Sequence, residues 1–125
     1  MKIGKEFIER RKNRRFRANE GTFASPRTNA QKLWQIIDVS KGGLSFRYIP
    51  HREDLKNSSE LDILTRDTLF SLEKMPFRSV SDSEIADEST SNYPLRRHGV
   101  QFGVHTPSQI SQLDYFIQNH TFCEV

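Results

Sequence analysis

The segment Glu9-Arg10-Arg11-Lys12-Asn13-Arg14-Arg15-Phe16-Arg17 gathers guanidinium groups into a few consecutive residues. Guanidinium is planar and permanently charged, and it forks its donors toward phosphate or toward the acceptor edge of guanine. The four-residue spacing of Arg11 and Arg15 puts both on one face of a helical turn, and on one side of an extended segment as well. The two can therefore close on one anion from two directions. By itself such a cluster is more often a solvated basic patch or a nucleic-acid tag.

A second stretch, Asp38-Val39-Ser40-Lys41-Gly42-Gly43, supplies complementary groups. Asp38 offers an acceptor-only carboxylate and Ser40 a small hydroxyl. Gly43, with Gly42 beside it, offers a backbone that can approach a ligand closely or take a positive φ. A carboxylate there accepts from both the ring N–H and the exocyclic amine of guanine, which adenine, whose ring nitrogen is an acceptor, cannot match. An unpaired buried acceptor costs about 1–3 kcal/mol, enough to discriminate between bases. Taken alone, the hexapeptide is an ordinary Asx or Ser turn.

Both stretches need elements to hold them. From Phe16 onward the chain runs in short extended segments, over 22–25, 32–39, 44–49, 61–65, 69–80 and 95–104. Trp34 and Ile36 share one face opposite Leu33 and Ile37, and Leu44, Phe46 and Tyr48 alternate with Ser45 and Arg47. With Ser40-Lys41-Gly42-Gly43 between them these runs predict a hairpin. Short strands punctuated by Pro, Gly and Asn, without alternating helices, predict a small antiparallel barrel or sandwich, and closure would hide the strand edges. Near the end, Thr106 as N-cap, Pro107 at the first position and Gln109 completing a capping box predict a helix over about 107–119. Its stripe Ile110, Leu113, Phe116 and Ile117 is expected to pack on the barrel.

The two stretches in this order, with strands between and a helix after, resemble the PilZ domain family. Arg11 through Arg15, preceded by Arg10, is similar to that family's RxxxR signature, and Asp38-Val39-Ser40-Lys41-Gly42-Gly43 is similar to its [DN]xSxxG signature. Gly99-Val100-Gln101-Phe102 resembles the family's late strand. The resemblance implies a six-stranded antiparallel β-barrel with a C-terminal helix, binding cyclic di-GMP between the arginine motif and the barrel rim. It implies that Arg11 and Arg15 contact phosphates and guanines, that Asp38, Ser40 and Gly43 surround a guanine, and that Arg10 bears on whether one or two ligand molecules bind. The run Arg17-Ala18-Asn19-Glu20-Gly21 is more polar than the family's first strand, which predicts a late or irregular start.

The remaining features bound the reading. With 125 residues the chain holds one domain, divided here into a basic arm or short amphipathic helix over 1–14 and a barrel over 15–125. The net charge is +3, but the basic residues crowd the N-terminus, which points to an anionic partner. Residues 81–92 carry Asp82, Glu84, Asp87 and Glu88 without a base and predict a solvated loop. Cys123 is the only cysteine, so a reducing, cytoplasmic setting is expected, with no leader and no membrane span.

His51, His98, His105 and His120 lack metal-ligand spacing and are expected on the surface or in turns, and Arg96 and Arg97 as solvated strand-edge charges, with an extension of the basic surface as the alternative. No nucleophile elbow or phosphate loop is present, so no enzyme is expected. The expected function is a cyclic di-GMP receptor that signals to a separate protein, as a monomer or a ligand-bridged dimer. Two alternatives are a PilZ-like adaptor without ligand and, last, a nucleic-acid-binding barrel with Trp34 or Phe46 stacked on bases.

Overall fold

The computed structural model of the chain describes residues 13–27, 32–49, 59–67, 70–85 and 95–125. Arg10, Arg11 and the amphipathic segment 2–12 fall outside them, as does His51. The elements in order are β1 (Phe16–Ala18), β2 (Thr22–Pro26), β3 (Trp34–Ser40), β4 (Gly43–Tyr48), β5 (Glu60–Thr65), β6 (Ser71–Glu84), β7 (Arg96–Phe102), α1 (Pro107–Asn119) and β8 (Thr121–Glu124).

All strand pairings are antiparallel, in the order β2-β5-β6-β7-β4-β3, and β2 pairs back onto β3 to close a six-stranded barrel. The free edge of β3 is shared. Its first residues pair with β2 (Ala24 opposite Trp34), and its last with β1 (Phe16 opposite Val39). Gly21, at φ 84°, turns the chain between β1 and β2, so the polar run after Phe16 is one broken strand, as its composition predicted. β8 then pairs with β1 and extends the sheet beyond the helix. That short strand, half of it polar, carries no signal that the sequence reading detected.

The alternation in β3 and β4 works as read: Trp34, Ile36, Leu44 and Phe46 point into the barrel with Leu61, Ile63, Leu72, Met75, Val100 and Phe102. Burying a Phe or Leu side chain of this kind stabilises by roughly 1.5–3 kcal/mol. Trp34 and Phe46 stack on each other at 4.5 Å and are 4% and 0% exposed, so neither can stack on a base, and that part of the nucleic-acid reading fails. The α1 cap is as expected, with Thr106 accepting from the Gln109 N–H and Gln109 accepting from the Thr106 N–H. Leu113 and Phe116 are buried against the barrel, but Ile110 stays 46% exposed, because the helix crosses one end of the barrel and only part of its stripe meets it.

Residues 81–84 are not loop. They belong to β6, where Asp82 lies opposite His98 and Glu84 opposite Arg96 in β7, so the acidic side chains are compensated across strands rather than by solvent alone. Arg96 and Arg97 are likewise not edge charges, since β7 lies between β4 and β6.

Two irregularities decide which side chains face outward. The register of β3 against β4 shifts between Ile36 and Asp38, and that of β6 against β7 shifts between Ser79 and Ser81. A bulge of one residue reverses the faces beyond it. Strict alternation from Trp34 and Ile36 would send Asp38 into the core. The bulge at Ile37 turns Asp38 to the outer face and Val39 inward instead.

Candidate ligand-binding groove

On the outer face the cross-strand register lays small residues in a row: Asp38 opposite Ser45, Ser45 opposite Gly99, and Gly99 opposite Ser81. One flanking row is Gly43, Gln101 and Arg78, and the other is Arg47, Arg97 and Ser83. The small residues of that row, beside Gln101 and Arg97, leave a groove with a volume of about 830 Å³. Arg15, Asp38, Ser40, Gly42 and Gly43 all line it. Two sequence stretches separated by a whole strand thus border one cavity, because β1 lies alongside the end of β3.

Asp38 sits at one end of the row with its side chain 6% exposed. Ser45 Oγ donates to Asp38 Oδ1 at 2.7 Å, and Arg97 Nη2 donates to Oδ2 at 2.6 Å. Arg15 Nη1 stands 4.0 Å from the same Oδ2, close enough for attraction but beyond a hydrogen bond. Ser40 Oγ accepts from the Gly42 N–H at 3.1 Å and donates to the Gly43 carbonyl at 3.4 Å, so it builds the turn that carries the glycines.

Gly43 is required for a reason that the sequence did not offer. Its φ is not positive; instead a Cβ there would lie 2.1 Å from the Val100 carbonyl oxygen of β7. A Cβ at Gly42 would press only on the Asn13 amide, at 2.7 Å, with Ser40 Oγ at an ordinary 3.9 Å. Asn13, Ser45, Ser81, Ser83, Arg97 and Gln101 also line the groove and were not singled out as site residues. Asn13 falls within the arginine stretch, and Ser45, Arg97 and Gln101 on the outward alternation of β4 and β7, but Ser81 and Ser83 lie beyond the irregularity in β6, and which strands adjoin is not written locally.

On the inward side of the same strands lies a polar cluster. Tyr48 Oη donates to Asp82 Oδ2 at 2.5 Å, His98 Nδ1 lies 2.8 Å from that oxygen, His98 Nε2 lies 2.7 Å from Ser79 Oγ, and Arg96 Nε donates to Asp82 Oδ1. Burial first, then the neighbouring Asp82 carboxylate, push the Tyr48 phenol up to about 12. Burial acts to raise the Asp82 carboxyl, but hydrogen bonds from Tyr48, His98 and Arg96 outweigh it and hold the group below its ordinary value.

His98 is thus no surface histidine: it is 5% exposed, with its ring 5.4 Å from that of Phe46. Ser79, His98 and Asp82 have the order of a nucleophile relay, but His98 is packed into the core and Asp82 also serves Tyr48 and Arg96. The cluster braces β4, β6 and β7 together. Among the described residues no group of His, Cys, Asp and Glu is placed to hold a metal, and no helix is long and apolar enough to cross a membrane.

By sequence the chain matches no family model and no curated protein. By structure it is similar to the PilZ domain with c-di-GMP of YcgR from Escherichia coli, at a TM-score of 0.66 and 17% identity over 89% of this chain and 91% of that one. The chain has a PilZ-like fold. MrkH, described as a c-di-GMP-dependent transcription regulatory factor, aligns at a TM-score of 0.65 and 13% identity, over 87% of this chain and 50% of its own. MrkH from K. pneumonia in its apo state aligns at 0.62 and 10% identity, over 85% and 47%. The chain therefore spans about half the length of MrkH and nearly all of the YcgR PilZ domain. In this PilZ-like barrel, the two stretches that resemble the family's signatures border one groove as far as the described residues extend.

Proposed function

We propose that the protein is a cyclic di-GMP receptor, with a guanine held at Asp38 and the phosphates met by Arg15 together with Arg10 and Arg11. The observation that carries this reading is the convergence of Arg15, Asp38, Ser40 and Gly43 on one outer groove. A buried carboxylate with acceptor sites to spare suits the paired N–H donors of guanine, and the adjacent guanidinium suits a phosphodiester. The solved PilZ domain of YcgR with c-di-GMP supports the choice of ligand.

Binding a dianion neutralises the N-terminal arginines and draws that segment onto the groove. The chain would thereby present a changed surface to a separate protein, acting as a receptor and not an enzyme. Calorimetric titration with cyclic di-GMP, with GTP and cyclic GMP as controls, tests this. Binding at micromolar concentration or tighter is expected, lost in Arg15→Ala and in Asp38→Ala. Absence of heat from the unmodified protein would sink the reading.

A further inference from the structure

We infer that Arg97, outside both signature stretches, determines the base specificity of the groove by positioning Asp38. The inference rests on the reading of the groove as a guanine site and names what makes that site selective. A carboxylate has about four acceptor positions. Among the described residues Ser45 occupies one on Oδ1 and Arg97 one on Oδ2, so each oxygen keeps one position that no described side chain fills. That is the pattern a guanine edge needs, since its ring N–H and exocyclic amine are parallel donors about as far apart as two carboxylate oxygens. Adenine offers one donor and one acceptor on the matching edge, and the acceptor would face a carboxylate oxygen.

Arg97 is suited to this role by its place. It projects from a strand flanked on both sides, next to the row that ends at Asp38, and it lines the cavity. Its side chain is 39% exposed while that of Asp38 is 6% exposed, so it reaches a buried acceptor from the groove wall. Arg15 cannot substitute for it at 4.0 Å, and remains available to a phosphate. With Arg97 removed, Ser45 is the one described side chain still hydrogen-bonded to the carboxylate, which can rotate about its Cβ–Cγ bond and lose the two-oxygen alignment. Affinity for guanine then falls more than affinity for a dinucleotide as such.

The test compares the affinities of the full chain for cyclic di-GMP and cyclic di-AMP, before and after Arg97→Met, which keeps the stem and removes the fork. The ratio of the two affinities is expected to fall about tenfold or more, chiefly by weaker guanine binding, with circular dichroism unchanged. Arg97→Lys, which restores the charge as a point, should recover part of the ratio. If Arg97→Met fails to fold, Arg97→Gln takes its place in the same comparison. An unchanged ratio, whether both affinities drop together or neither does, would overturn the positioning role while leaving the receptor reading intact. An unmodified protein that binds neither dinucleotide would defeat both.

Discussion

Arg97 in β7 donates to Asp38 in β3 at 2.6 Å, across 59 residues of sequence. The contact joins two strands that are separated by β4, and Ser45 of β4 completes it at 2.7 Å. Asp38→Ala removes the acceptor of both donors, and the buried Ser45 hydroxyl is left unpaired. A loss of about 1–3 kcal/mol in folding stability is expected from urea denaturation. The partial exposure of Arg97 puts its own pairwise share at the low end, about 1 kcal/mol or less in a double-mutant cycle with Asp38. Additive single variants would contradict the contact.

The paired glycines of the turn should respond differently to the same change. Gly43→Ala forces a methyl against the Val100 carbonyl, 2.1 Å away in backbone that cannot yield without moving β7. Destabilisation of about 1–3 kcal/mol or more follows. Gly42→Ala displaces only the end of the Asn13 side chain and should stay within about 0.5 kcal/mol. Thermal melts of the two variants decide it, and equal melting temperatures would refute the distinction.

Lys74, at φ 61°, is the non-glycine residue with positive φ among those described. Its N–H donates to Asp62 Oδ1 at 3.0 Å, and its carbonyl accepts from Gln109 Nε2 at 3.0 Å, so strand and helix together hold the conformation. Left-handed backbone costs an L-residue about 1–2 kcal/mol, of which glycine returns part through its greater freedom when unfolded. Lys74→Gly should raise stability by up to about 1 kcal/mol, and a lowered urea midpoint would count against the strain.

The inward cluster is expected to make stability fall at both ends of the pH scale. Because the folded Asp82 carboxyl lies below its ordinary 3.8, its contribution is present above that value and is lost as pH falls through the folded value. The Tyr48 phenol is raised from 10.0 to about 12, so its contribution is present below pH 10.0 and is lost as pH climbs toward 12. In melting temperatures measured against pH, Asp82→Asn should remove the acid limb and make the alkaline limb shallower, the part due to burial of Tyr48 remaining. An acid limb of unchanged slope would exclude Asp82 as its source.

The hairpin around Lys41 and Gly42, the capped helix at Thr106, and the inward set of Trp34, Ile36, Leu44 and Phe46 were legible in the chain because each depends on residues a few positions apart. The same is true of the arginine and Asp38 stretches as chemistry. The acidic residues 82 and 84 misled because their partners, His98 and Arg96, come from another strand. β8 was missed because a short polar strand has meaning only once β1 lies beside it.

What local pattern could not supply was the face on which Asp38 emerges and the company it keeps there. Period-two alternation puts that carboxylate among the core residues. The bulge at Ile37 reverses it, and only the pairing of β4 with β7 brings Arg97 within reach. Residue types and spacing thus named the groups we propose to hold a nucleotide. Barrel closure, a balance of packing summed over strands far apart in the chain, determined that they border one groove and that Arg97 stands among them.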